Sequence, residues 1–343
     1  MQAIVQRRYG GAETLALADV GQPSVGPNDV LVRVHAASIH LGDWILMQGE
    51  PVMRMATGFR NPKNPIPGSD VAGTVEAVGQ AVERLRPGDE VFGWCAGAFA
   101  EYASAHEDQF VAKPANLTFE QAAAVGLSAT AALQLLRDTG KVQAGNDVLI
   151  NGASGGVGTF AVQVAKALGA RVTGVCGPTN VEMVRAIGAD HVIDYTRADF
   201  TAQDQRYDVI LDNVGNHSMA RTRRALKPSG RLISNGGGHA GGKVARTLRA
   251  SLASIIVRQQ AAPSVKTQNR DDRLALKALV EAGRLTPVID GIYRLVETRG
   301  AMERIATGHA AGTIVLRVAN EADSSGSPAV ALVDPSSAVR TAA

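Results

Sequence analysis

Hydrophobic and polar positions alternate through the first third of the chain. In DVLVRVHA (29–36), Val30, Val32 and Val34 fall on one face and Leu31, Arg33 and His35 on the other, the period-two pattern of a strand. VAGTVEAVG (71–79) and DEVFGW (89–94) read the same way, and Arg86-Pro87-Gly88-Asp89 between them is a turn. Short strands broken by Gly and Pro predict a compact β domain over residues 1–125. The period changes near residue 118, where TFEQAAAVGLSATAALQLLRDTG predicts a helix. Strand and helix then alternate over 126–262. The strands are VLING (148–152), ARVTGVC (170–176), HVIDY (191–195), YDVILDNVG (207–215) and GRLISNGG (230–237), and one of the helices runs through Leu226. That order predicts a parallel sheet covered on both faces. KVARTLRASLASIIVRQQ (243–260) predicts a basic amphipathic helix with a solvated or subunit-facing surface. The helix DRLALKALVEAGRL and the strand GTIVLRV predict a return to the first domain over 263–318, and Ser/Ala/Pro-rich residues 319–343 predict a disordered tail.

Bulk properties narrow the class. A chain of 343 residues exceeds what one core usually holds, so two domains are expected. With 45% hydrophobic and 20% charged residues it reads as a soluble globular protein. Its 35 basic and 32 acidic residues leave +3, too small an excess to point to nucleic acid. No apolar run reaches the ~20 residues that span a bilayer, and MQAIVQRRYGG reads as a strand rather than a signal peptide. Two cysteines, Cys95 and Cys176, exclude a disulfide framework and point to the cytoplasm.

The chemistry starts at GASGGVG (152–158). A strand runs into Gly152, and a helix from about Val157 to Leu168 follows, with Phe160, Val164, Ala165 and Leu168 as its apolar stripe. Glycines let the backbone turn tightly against a ligand, and the helix start offers free N–H groups and a partial positive charge. Ser154, Gly155, Gly156, Val157 and Gly158 are therefore expected to hold a dinucleotide pyrophosphate. The spacing is GxxGxxG rather than GxGxxG, so the strand–turn–helix context carries the reading. The next strand ends in Gly177-Pro178-Thr179-Asn180, without the carboxylate that holds an NAD ribose. That absence admits a 2′-phosphate, with Thr179, Asn180 and Tyr195 as donors, so NADPH is the expected cofactor. Asn180 is also a natural cap for VEMVRAIG. Asn213 and Gly215, and Ser234 to Gly237 with Asn235 and Gly236 among them, lie at carboxyl ends of parallel strands, where ligands sit.

Six blocks, IPGSDVAGTVEAVG, LRPGDEVFG, GAFAEYA, KPANLTFEQAAAV, VLINGASGGVG and YDVILDNVG, resemble the medium-chain dehydrogenase/reductases, in particular the zinc-free quinone oxidoreductase branch, over about residues 1–318. The resemblance implies an α/β chain: a GroES-like β-barrel catalytic domain plus a doubly wound Rossmann domain, with the active site between them. It implies a homodimer and places Thr130 and the loop His40-Leu41-Gly42-Asp43-Trp44 beside the nicotinamide. In zinc-dependent relatives a cysteine ligand stands where this chain has His40, and a His-Glu pair where it has Ser69-Asp70. Serine is a poor zinc ligand, so no metal is expected. His40 and Asp43 either bond to each other or the backbone and shape the cleft, or His40 meets nicotinamide or donates a proton. Trp44, Met47, Met53 and Met55 are expected either to line the substrate pocket or to pack ordinarily. Without a Lewis acid a simple alcohol is poorly activated, so quinones or α,β-unsaturated carbonyls are the expected acceptors. An alcohol dehydrogenase or carbonyl reductase is a second reading, and a cofactor-binding interaction protein a third.

Overall fold

The computed structural model describes residues 1–235, 260–263 and 268–318. Gly236, the 243–260 helix apart from Gln260, and the tail lie outside them. Two sheets organise the chain. The first joins β3 (Asp29–Ile39), β4 (Asp70–Val78), β5 (Glu90–Trp94), β6 (Tyr102–His106) and β7 (Phe110–Ala112) in antiparallel register. β15 (Thr313–Arg317) closes onto β3, with Leu316 opposite Ala37, and β14 (Ile289–Arg294) lies parallel to β15. β1 (Gln2–Gln6) and β2 (Leu15–Asp19) form a separate hairpin pair. β3 is buried on both faces, Leu31 included, and slips register at two points, so its alternation is less clean than the pattern predicts.

The second sheet is wholly parallel among the described residues. Its order is β10 (His191–Asp194), β9 (Arg171–Cys176), β8 (Asp147–Asn151), β11 (Tyr207–Asp212), β12 (Leu226–Ser234), β13 (Gln260–Pro263). The order reverses between β8 and β11, which opens a crevice at their carboxyl ends. Leu226 begins β12 rather than extending the helix before it, because α6 (Met219–Arg224) stops two residues earlier.

Two helices tie the sheets together. α3 (Phe119–Leu133) starts from a reciprocal cap, Gln121 N–H to Thr118 Oγ1 at 3.2 Å and Thr118 N–H to Gln121 Oε1 at 3.0 Å. It packs on β3 and β4 and also on α4 (Gly156–Ala167). α4 was expected to bury one stripe, yet Gly158 through Ala165 are all buried. β8 and β9 cover one side and α3 another, so even Thr159 and Gln163 are enclosed. Gln163 is satisfied by the Thr286 backbone, which it meets at 2.9 and 2.7 Å. Burying each Val or Phe here contributes about 1.5–3 kcal/mol.

Candidate active site

The glycine turn forms as the sequence requires. Gly152 takes φ +77°, and a Cβ on Gly158 would meet the Gly152 carbonyl at 2.0 Å, so α4 can rise this close to β8 only with glycine. Ser154 and Gly155 turn the chain into α4, and Gly156, Val157 and Gly158 form its first turn. Around that turn stand Ser128 Oγ, 3.3 Å from where a Gly156 Cβ would lie, and Thr313 Oγ1, buried without a hydrogen-bond partner. Gly312 N–H donates to the Ser154 carbonyl at 2.8 Å, which fastens the turn to the strand entering the first sheet.

At the switch point, Asn151 Nδ2 donates to Asp212 Oδ1 at 2.8 Å. The same oxygen accepts the Gly215 N–H at 2.8 Å, which folds Asn213–Gly215 back over the strand end. Asn235 Nδ2 donates to Asn213 Oδ1 at 2.7 Å, while Asn213 Nδ2 and Asn235 Oδ1 are buried with no partner. These two atoms, the glycine cradle and the N-terminus of α4 suit a dinucleotide with hydroxyl-rich sugars. At the end of β9, the Tyr195 hydroxyl lies 3.2 Å from where a Gly177 Cβ would stand, and Tyr195 is half-exposed. Asn180 does occupy the cap position of α5 (Val181–Ala186), but its side chain makes no capping bond. Burial pushes the Cys176 thiol up and Asp194 adds to it, against a smaller opposing effect of Arg185, which is paired with Glu182 at 2.6 Å.

The second cluster sits where β3 gives way to α1 (Leu41–Gln48). His40 and Asp43 meet as main chain to side chain, His40 N–H donating to Asp43 Oδ2 at 2.8 Å. The imidazole turns elsewhere: His40 Nε2 lies 2.6 Å from Asp70 Oδ2, thirty positions along the chain, at the first residue of β4. Ser38 Oγ stands 3.3 Å from His40 Nε2 and 3.4 Å from Asp70 Oδ2. Asp70 also accepts the Leu127 N–H at 2.5 Å, and Gly126 is non-helical there, which kinks α3 around the carboxylate. His40 and Asp70 are 8% and 1% exposed, and His40 Nδ1 and Asp70 Oδ1 have no partner. Burial pushes the Asp70 carboxyl up to about 6, with His40 opposing, and burial raises Asp43 as well. Thr130 is buried, its hydroxyl donating to the Gly126 carbonyl at 3.1 Å. Trp44 packs against the core of the first sheet. Met47 is 1% exposed inside that core, which excludes it from a pocket wall, whereas Met55 is 81% exposed. Nothing is described of the Met53 side chain.

Gly126, Ser128 and Thr313 escape a reading of linear motifs, since each matters through a neighbour distant in sequence, whereas Asp70 stands out in the sequence only at a metal-ligand position. Among the described residues, no three His, Cys, Asp or Glu side chains gather as a metal site. No helix of the described residues is long and apolar enough to cross a membrane.

The family described as "Alcohol dehydrogenase GroES-like domain" matches residues 26–115, and "Zinc-binding dehydrogenase" matches 187–316. Human quinone oxidoreductase is 32% identical over 330 residues, which cover 92% of this chain and 97% of that protein. The chain belongs to the quinone oxidoreductase-like branch of the medium-chain dehydrogenase/reductases. It is an oxidoreductase of that superfamily. The NADPH-dependent alkenal/one oxidoreductase of Arabidopsis thaliana chloroplasts is 30% identical over 331 residues, 92% of this chain and 79% of that protein. The quinone oxidoreductase structure from Coxiella burnetii superposes with a TM-score of 0.82 at 29% identity, over 93% of this chain and 99% of that one. This chain has the GroES-like and Rossmann architecture that the β-then-α/β pattern predicts.

Proposed function

We propose that this chain is a zinc-independent, NADPH-dependent reductase of quinones or α,β-unsaturated carbonyls. The observation that carries this reading is the cradle at the crevice: a glycine turn at a helix N-terminus, flanked by the partnerless amide atoms of Asn213 and Asn235. Ser154 to Gly158 hold the pyrophosphate, and Asn213, Gly215, Asn235 and Gly236 the nicotinamide half. Thr179, Asn180 and Tyr195 receive the adenosine end. The absence of a carboxylate between Gly177 and Asn180 favours a 2′-phosphate.

When bound, NADPH supplies a hydride, so the chain's own residues need only position, exclude water and manage a proton. Thr130 and the 40–44 loop, with His40, Asp43 and Trp44, border the nicotinamide. His40 and Asp70 engage each other, and Ser69 is a weak donor, which argues against a zinc ion that would activate an alcohol. The proposed domain limits are 1–125 with 263–318 for the catalytic unit and 126–262 for the Rossmann unit. The reading extends to a cytoplasmic homodimer, the two-cysteine composition supporting the compartment and the family resemblance the dimer.

The test follows NADPH and NADH consumption at 340 nm with a panel of quinones, enones and simple ketones. Turnover with quinones or enones and a clear NADPH preference are expected. Saturable cofactor binding without turnover on any acceptor would instead favour an interaction protein.

A further inference from the structure

We propose that Asp70 is a positioning residue that turns His40 into the proton donor of the reduction, with the proton leaving from Nδ1. This deepens the preceding reading and rests on it. The geometry begins with the 2.6 Å contact between His40 Nε2 and Asp70 Oδ2. A carboxylate at that distance takes the Nε2 proton as a charge-assisted hydrogen bond and fixes the ring's tautomer. Nδ1 is then the one ring nitrogen left to exchange a proton; it is buried and has no hydrogen-bond partner.

Asp70 is itself held from several sides. Leu127 N–H and Ser38 Oγ donate to it, and Gly126 leaves the gap it fills. The charged and titratable groups facing the pair are Asp43 from α1, Cys95 beyond β5, and Arg273 from α7 (Arg270–Glu281). Burial keeps Cys95 protonated, so it adds no charge. Ser128, next to Leu127, stands against the cofactor turn, so one kink of α3 joins the turn and the pair.

The step balances. The hydride that NADPH supplies forms the new C–H bond of the enone, and the displaced π pair comes to rest on the substrate oxygen. His40 Nδ1–H breaks, its electron pair stays on nitrogen, and its proton forms the substrate O–H bond. The Nε2–H stays on the ring, hydrogen-bonded to Asp70 throughout, and the charge of the carboxylate steadies the imidazolium before transfer. Water restores the Nδ1 proton, so each turnover oxidises one NADPH, reduces one enone and consumes one solvent proton.

The full-length chain tests this with His40→Gln and Asp70→Asn. Long-range ¹H–¹⁵N NMR of histidine-labelled protein reads the ring without cofactor, the His40 signal being the one lost in His40→Gln. The neutral wild-type ring is expected to carry its proton on Nε2 alone, and the Asp70→Asn ring on either nitrogen. With NADPH and an alkenone, kcat should fall roughly 100-fold in His40→Gln and about tenfold in Asp70→Asn, with KM for NADPH within about twofold. A wild-type ring protonated on Nδ1, or a His40→Gln enzyme with unchanged turnover, overturns the proposal alone. The expected tautomer with no NADPH oxidation by the wild type overturns the parent reading, and the acid role falls with it.

Discussion

A Cβ added to Gly126 would lie 2.0 Å from Oδ2 of Asp70. The carboxylate is short and buried, so it cannot swing aside, and the helix cannot retreat without breaking the Leu127 N–H bond to the same oxygen. Gly126→Ala is therefore expected to destabilise the fold by about 1–3 kcal/mol and to displace Asp70 from His40. Urea unfolding reads the first effect and turnover the second. An alanine variant with an unchanged midpoint and full turnover would contradict the close approach.

Buried charge at Asp70 makes stability depend on pH. Its pKa rises from 3.8 unfolded to about 6 folded, chiefly through burial. The folded state thus binds more protons between those values, so the stability present below 3.8 is lost as pH rises towards about 6 and stays lost above it. Asp70→Asn removes the ionised form, and at pH 7–8 it is expected to gain up to roughly 3 kcal/mol, at about 1.4 kcal/mol per tenfold in proton affinity. Melting curves of both proteins from pH 4 to 8 check this: the gap should open as pH rises. A gap that closes instead would mean that the pairing with His40 outweighs burial.

The parts of this molecule visible in its sequence are those built from neighbours in the chain. VLIN, the glycines and the run into α4 are local, and their strand–turn–helix geometry follows from sterics and free N–H groups. GTIVLRV is legible as a closing strand, but its antiparallel partner β3 is not, since that pairing joins residues far apart in sequence. The His40 imidazole was harder. Its partner within the loop, Asp43, was the natural guess, and only the antiparallel pairing of β3 with β4 sets Ser38 opposite Asp70 and so brings the carboxylate alongside. Met47 stayed open for a related reason: a one-dimensional pattern near a cleft does not show which side of α1 faces the first sheet, and the structure packs it into that core. The all-round burial of α4 likewise needed α3, whose position no stripe in α4 could announce.

Gly158→Ala is expected to damage the cofactor turn directly. The obstruction is the Gly152 carbonyl at 2.0 Å, a backbone atom with no freedom to rotate away. NADPH affinity should fall about tenfold or more, and stability by about 1–3 kcal/mol. Gly300→Ala is the matched control, since a Cβ there meets nothing within 4 Å on the helix Thr298–Ala306. It should leave NADPH affinity alone and gain about 0.5–1 kcal/mol from helix propensity. Fluorescence titration with NADPH and thermal unfolding separate the two; equal affinities would show that the turn tolerates the added methyl.

Cofactor choice turns on the end of β9. Thr179 is exposed there, and no carboxylate stands between Gly177 and Asn180. Thr179→Asp places a negative charge where a 2′-phosphate is proposed to lie and where NADH offers a hydroxyl that a carboxylate can accept from. At a separation of about 4 Å and an effective dielectric near that of a protein surface, the repulsion is a few kcal/mol before salt screening. A loss of at least tenfold in kcat/KM for NADPH is expected, with NADH unchanged or improved. The residual effect should shrink as ionic strength rises, because the added carboxylate sits in reach of solvent. Side-by-side kinetics with both coenzymes at two salt concentrations decide it. An equal loss for the two would place the substituted side chain against the adenosine itself rather than against a phosphate.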